Sequence, residues 1–392
     1  MTTTTTLTPP APDPAVLTWQ EGGQARQAGW RSEAGWPAPA RVQLADDQLT
    51  ADAAYRLACE GTALLWRGDF QNARQLLQAL ARRLDRAPRK AAGAPTSASE
   101  VFYKHRQAQG RRARVLGMLV IEVDGNHGIS LRRAPDLRVA CGEAWGPPDG
   151  QPCVVALREL LGLVGAHEWR KSGVEVPALG PPPANRIHAH YGVFSPVRGE
   201  YLDLIARATL PAGAGLAWDI GTGTGVIAAV LARRRIARIV ATDLNPRALA
   251  CARDNIRRLR LQGQIELVEA DLFPAGTAPL IVCNPPWLPG KPSSTLEHAI
   301  YDPDSRMLRG FLAGLRERLA PGGEGWLVLS DLAEHLGLRS REELLALFDA
   351  GGLAVRERLD IRPRHPKASD AGDPLASARS REVTSLWRLG AA

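Results

Sequence analysis

Cysteine is sparse in this 392-residue chain: five residues, Cys59, Cys141, Cys153, Cys251 and Cys283, with no CxxC pair and no histidine-rich neighbour. An odd and scattered set excludes a disulfide framework and a zinc site, so no metal is expected, and a reducing cytoplasm is the expected compartment. Long apolar runs are missing too. None approaches the ~18–20 residues that span a bilayer, so no membrane helix is expected. The stretch Met1 to Pro14 lacks both the basic and the apolar region of a secretory signal. Its threonines and prolines predict an unstructured leader over residues 1–16. Internal repetition is lacking as well. The helical segment around Leu65–Phe70 and Ala73 has no second copy, and a lone helical unit cannot bury its face by stacking.

What the chain does have is length and apolar content enough for two domains or more, with hydrophobic residues at 45%. Its net charge of +8 is concentrated. Between Arg82 and Arg114 stand ten basic residues (82, 83, 86, 89, 90, 104, 106, 111, 112 and 114) against Asp85 and Glu100 only. Such a segment attracts a polyanion through counterion release, RNA being the expected one, or it is the solvated face of a helix.

Ala87–Ser99 and Val176–Asn185, both rich in Pro, Gly, Ala and Ser, read as linkers or domain edges. Residues 17–86 are expected to be a helical region. Ala73, Leu76, Leu77, Leu80 and Leu84 follow helical spacing, and Gly68-Asp69 breaks the chain before them. A basic linker is expected over 87–99, and a small α/β docking module over 100–180. That module would hold a β-like segment at Val115–Val123, a turn at Asp124-Gly125-Asn126 and a short strand near Ile129–Leu131.

From about residue 200 short apolar runs alternate with amphipathic helices. The runs are 216–220, 239–242, 265–269, 280–283, 326–330, 354–359 and 383–389; the helices lie near 226–234, 246–260, 305–319 and 340–350. Strands spaced by helices form right-handed βαβ units and a parallel sheet covered on both faces. The fold class predicted is α/β: a Rossmann-like seven-stranded domain over 186–392. Its last strand, after a long loop from Arg362 to Ser380, could enter antiparallel.

Candidate chemistry gathers at the ends of these runs. The first ends in Asp219-Ile220-Gly221-Thr222-Gly223-Thr224-Gly225 and passes into an apolar helix. Glycines at such a turn let backbone approach a ligand beside the free N–H groups of the helix. The second run ends in Asp243-Leu244, where a carboxylate can accept from two ribose hydroxyls. The third ends in Ala270-Asp271-Leu272, where an acid can meet an adenine amino group. These signals alone leave NAD and S-adenosylmethionine both open.

The fourth run, Ile281-Val282-Cys283, leads into Asn284-Pro285-Pro286-Trp287. This resembles the (Asp/Asn/Ser)-Pro-Pro-(Tyr/Phe/Trp) motif of class I S-adenosylmethionine-dependent amino-methyltransferases of the methyltransferase small domain group. That group includes the release-factor and ribosomal-protein glutamine methyltransferases and the ribosomal RNA guanine-N2 methyltransferases, and the resemblance covers about residues 190–390. It implies S-adenosylmethionine as cofactor, held by Phe194, Asp219, Gly221, Thr222, Gly223, Gly225, Asp243, Leu244, Asp271, Leu272 and Asn284. It implies Asn284, Pro285 and Trp287 as the catalytic set. The Asn284 side-chain oxygen and the Pro285 carbonyl can accept from an NH2 group, aligning its nitrogen and favouring the charge that develops there. Trp287 offers a flat face for stacking. The segment Tyr191 to Glu200 is the counterpart of one that covers the methionine end of the cofactor, and its Gly-Val-Phe-Ser wording is similar to guanine-N2 enzymes. With the basic segment, this puts an RNA base first as methyl acceptor. The alternatives are a glutamine of a release factor or ribosomal protein, and a non-catalytic nucleic-acid-binding protein on a methyltransferase scaffold. Tyr301-Asp302-Pro303-Asp304-Ser305 reads as a substrate lip or a helix-capping turn.

Overall fold

The computed structural model describes residues 15–86, 97–292, 295–363 and 373–392. Nearly all of the expected leader and linker lie outside them. The chain divides into two compact units, and the division falls inside two helices.

The first unit, up to residue 86 with 111–164, is one mixed sheet and its helices. Its elements are β1 (Val16–Glu21), β2 (Gln24–Arg31), β3 (Arg41–Ala45), α1 (Ala51–Cys59), β4 (Thr62–Trp66), α2 (Phe70–Arg86), the end of α3 (Ala98–Leu116), β5 (Leu119–Val123), α4 (Arg138–Trp145), β6 (Cys153–Ala156) and the start of α5 (Leu157–Ser172). The strands run β1-β2-β6-β5-β4-β3, and the two edge strands approach each other so that the sheet curls. Here the structure corrects the sequence reading. Residues 17–86 hold four strands besides the two helices, and they share a single sheet with residues expected to form a separate module. The strand β4 explains the miss. All five of its residues are buried, so it shows no alternation, and the short apolar run Ala63–Trp66 between helical patterns passes for part of a helix. Val115 and Leu116 close α3 instead of opening a strand, and no strand forms at 129–131. The expected turn is present: the Asp124 carboxylate accepts from the N–H groups of Asn126 at 2.8 Å and Gly128 at 2.7 Å.

The second unit, residues 97–110 with 165–392, opens with a short antiparallel pair, β7 (Val174–Glu175) and β8 (Arg186–Ile187). Then follow α6 (Glu200–Arg207), β9 (Leu216–Ile220), α7 (Val226–Arg233), β10 (Arg238–Asp243), α8 (Pro246–Arg258), β11 (Ile265–Glu269) and β12 (Ala278–Cys283). After them come β13 (Leu288–Pro289), β14 (Tyr301–Asp302), α9 (Arg306–Arg318), β15 (Leu319–Ser330), α10 (Leu332–His335), α11 (Arg341–Ala350), β16 (Leu353–Ile361), α12 (Ala376–Arg379) and β17 (Thr384–Ala391). Seven strands form one sheet in the order β11-β10-β9-β12-β15-β17-β16. The first five are parallel, and β17 runs antiparallel to both neighbours. This is the Rossmann-like seven-stranded fold expected from the alternating pattern.

Both faces of that sheet are buried, which is why its strands read as continuous apolar runs. Ala217, Ile239, Leu280, Val282 and Trp326 pack against α7 on one side. Trp218, Ile220, Ile281 and Leu327 pack with Phe311 and Phe348 on the other. Helix α7 is buried from Val226 to Ala232, as a helix apolar all round must be. Helix α8 starts at Pro246, with the Asn245 side chain accepting the Arg247 N–H at 3.0 Å. These helix starts bring the loops after β9, β10 and β12 to one edge of the sheet.

Candidate active site

Strand register sets the site. Ile220 of β9 pairs with Thr242 of β10 on one side and with Cys283 of β12 on the other. The next residue on each strand is therefore Gly221, Asp243 or Asn284, three positions side by side across strands about 4.8 Å apart. Ligands of open α/β sheets bind at this carboxyl edge.

The turn after β9 is glycine-rich because its backbone must be left-handed: φ is +71° at Gly221, +55° at Gly223 and +79° at Gly225. At Gly225 a Cβ would also press on Ala252 of α8. The Thr222 N–H donates to the Thr242 carbonyl at 2.8 Å, tying the turn to β10. The Thr222 hydroxyl points down and donates to Asp219 at 2.6 Å. Asp219 is fully buried, and the same carboxylate oxygen accepts the Ala228 N–H of α7 at 3.0 Å. Its other oxygen has no partner. Burial pushes the Asp219 carboxyl up to about 7, against the pull of these two donors. Asp219 and Thr222 thus brace the turn from beneath, while the backbone of Gly221 and Gly223 faces the edge.

Asp243 joins two loops. One of its oxygens accepts the Gly223 N–H at 2.9 Å and the other the Asn245 N–H at 2.9 Å, and burial raises its pKa. Leu244 beside it is more than half exposed. Further along, Asp271 is half-exposed and pairs with Arg306 of α9 at 2.5 Å. Leu272 adopts a φ of +74°, and its carbonyl accepts the Thr242 hydroxyl at 2.7 Å.

In the tetrad after β12 the Asn284 oxygen accepts the Trp287 indole N–H at 2.8 Å. Trp287 packs against both sheet cores, and the Arg198 guanidinium lies over its ring at 5.5 Å from the centroid. The stacking face expected of this tryptophan is thus partly covered by the chain itself. Arg198 is held by two buried carboxylates, Glu200 at 3.2 Å and Glu382 at 3.0 Å. Phe194 lies in the same loop, with over a third of its surface open. Asn255 of α8 anchors that loop by accepting the His188 N–H at 2.8 Å, and donates to the Thr224 carbonyl at 3.0 Å. Of the two readings of residues 301–305, the structure supports capping: the buried Asp302 carboxylate accepts from the N–H groups of Met307 and Leu308, each at 3.1 Å.

Comparison with known proteins follows the same outline. The family model "Methyltransferase small domain" matches residues 184–350. A release factor glutamine methyltransferase of Deinococcus radiodurans is 33% identical over 248 residues, 58% of this chain and 80% of that protein. The chain belongs to the S-adenosylmethionine-dependent methyltransferases of this small-domain family. A release factor glutamine methyltransferase of Cereibacter sphaeroides is 33% identical over 178 residues, 41% of this methyltransferase and 58% of its own length. A ribosomal protein L11 methyltransferase of Bordetella parapertussis is 30% identical over 234 residues, 57% of this methyltransferase and 64% of its own length. The chain thus spans under two thirds of the last two relatives. These relatives methylate proteins, so the comparisons weigh against the RNA base expected first as acceptor.

The methyltransferase site fits its cofactor by its own chemistry. Backbone at Gly223 is open, the Met307 side chain lies against Gly221, a carboxylate stands level with the turn on β10, and Asp219 keeps one buried oxygen without a partner. No group of three or more His, Cys, Asp or Glu side chains is arranged for a metal among the described residues. Sequence reading missed Asn255, Glu382 and the role of Arg198. The residues they join are 31, 184 and 89 positions apart respectively (Thr224 to Asn255, Arg198 to Glu382, Arg198 to Trp287), so no local pattern announces them.

Proposed function

We propose that this methyltransferase transfers a methyl group to the side-chain amide nitrogen of a glutamine in a protein of the translation apparatus. The observation that carries the reading is the register placing Asn284 level with Gly221 and Asp243. Bound S-adenosylmethionine supplies the electrophilic methyl. Asp243 would accept from ribose hydroxyls, and Asp271 with Leu244 and Leu272 would border the adenine. The loop holding Phe194 covers the methionine end.

An amide NH2 is a poor nucleophile because its lone pair is delocalised. Asn284 and the Pro285 carbonyl would accept its two hydrogens, aligning the nitrogen and stabilising positive charge as the N–C bond forms, the sulfonium S–C bond breaks and S-adenosylhomocysteine leaves. The extra proton then leaves to solvent, so no strong base is required. The relatives named for release factors and ribosomal protein L11 support a protein acceptor. Four of the ten cations in the basic segment are ion-paired within the chain: Arg83 with Asp52, Arg112 with Asp85, Lys104 with Glu100 and Arg106 with Glu297. To the first unit we assign acceptor docking.

The test is incubation with tritiated S-adenosylmethionine and a lysate of cells lacking the enzyme, with RNA and protein separated afterwards. Label in protein that digests to N5-methylglutamine is expected. Label confined to ribonuclease-sensitive material would overturn the assignment.

A further inference from the structure

The tetrad of this chain ends in tryptophan, and the structure uses the one atom that phenylalanine lacks and tyrosine places elsewhere. The Trp287 indole N–H donates to Asn284 at 2.8 Å. An indole nitrogen can only donate, so the Asn284 group facing it must be the oxygen and not the NH2. Either end of an asparagine amide can face a given point at nearly equal steric cost. With the NH2 turned that way, Asn284 would meet an incoming NH2 group donor to donor. The Trp287 bond removes this choice and leaves the oxygen its second lone pair.

The ring that holds Asn284 is itself held. Trp287 is partly buried against both cores, Arg198 covers a face, and the Arg339 guanidinium donates to the Trp287 carbonyl at 3.5 Å. Arg198 is fixed in turn by Glu200 and by Glu382, which also accepts the Ser330 hydroxyl at 2.8 Å. The orientation of one amide is thus tied through a ring and a guanidinium to β15 and the chain entering β17.

We infer that Trp287 is a positioning residue: its indole N–H, braced by Arg198, locks the Asn284 amide so that its oxygen is the acceptor presented to the substrate nitrogen. The inference rests on the methyl-transfer reading and adds to it how the acceptor atom is selected. Orientation lost without loss of binding affects turnover and not affinity.

Two measurements on the full chain test it. The first needs no acceptor. The chain has ten tryptophans, so the Trp287 indole resonance is assigned by its disappearance in Trp287→Phe. In Asn284→Ala that resonance should move and its N–H exchange faster with solvent; an unmoved, equally protected resonance would overturn the inference. The second uses tritiated S-adenosylmethionine and a recombinant peptide-chain release factor. Trp287→Phe keeps the ring and should lower kcat roughly ten- to hundredfold with KM nearly unchanged. In an Asn284→Asp background the carboxylate has two equivalent oxygens, so Trp287→Phe should there change kcat less than about twofold. Wild-type or raised kcat in Trp287→Phe, or an equal loss in both backgrounds, would overturn the orienting role. Turnover by Asn284→Ala equal to wild type would instead sink the methyl-transfer assignment itself, so the two failures are distinct.

Discussion

At the scale of single residues, Asp219 is the group whose environment departs furthest from water. It is a fully buried carboxyl raised to about 7, chiefly by desolvation. The sign of its effect on stability follows. An aspartate whose native pKa stands above its unfolded value of about 4 favours the fold fully below that value, where both states hold the proton. The contribution is lost as pH rises to about 7, by an amount of order 4 kcal/mol. Asp219→Asn should therefore gain melting temperature relative to the native chain as pH goes from 5 to 8. A difference between the two that stays constant across this range would show that Asp219 is ionised throughout. Asp243 acts differently, because its oxygens face the edge of the sheet. Asp243→Ala should weaken S-adenosylhomocysteine binding about tenfold or more in calorimetry, the size of a lost charge-assisted hydrogen bond or two. Unchanged affinity would remove Asp243 from the ribose.

Elements decide which of these residues meet. The strand ends carrying Gly221, Asp243 and Asn284 were legible in the sequence, because buried parallel strands read as apolar runs and each ends in a glycine, acid or Asn-Pro-Pro signal. What was not legible is the bracing. In the second unit the first half of α3 supports the segment after the tetrad. Arg106 bonds both oxygens of Glu297 at 2.9 and 3.0 Å, donates to the Lys291 carbonyl at 2.9 Å, and stacks over Tyr301 at 4.0 Å. Phe102 of the same helix is buried with Leu288, Leu332 and Leu375. In the sequence Arg106 was one of ten basic residues in a charged stretch, and nothing local separates a structural guanidinium from a solvated one. Arg106→Ala should speed hydrogen exchange around Glu297–Asp302 and cost about 1–3 kcal/mol of stability, since a bidentate pair and a cation–π contact go together. Arg106→Lys should recover only part of this, lacking the planar fork. Unaltered exchange in the alanine variant would mean that the segment is held by Phe102 and its apolar neighbours alone.

At the scale of the whole molecule there are two separately built main sheets, one in each unit. The curled mixed sheet of the first unit escaped sequence reading because its strands are short and β4 is buried throughout, whereas the regular βαβ rhythm of the second announced itself. Charge also has to be judged at this scale. A local excess of basic residues counted along the chain shrinks once Asp52, Asp85, Glu100 and Glu297 are seen beside it. The central claim is that Asn284, level with the glycine turn, presents its oxygen to the acceptor nitrogen and takes no essential part in holding the cofactor. The direct measurement is Asn284→Ala assayed twice, for S-adenosylhomocysteine affinity by calorimetry and for methyl transfer into release-factor protein. The expected result is an affinity within a few-fold of the native chain and a turnover lowered by about two to three orders of magnitude. A variant that transfers methyl groups at the native rate would contradict the account.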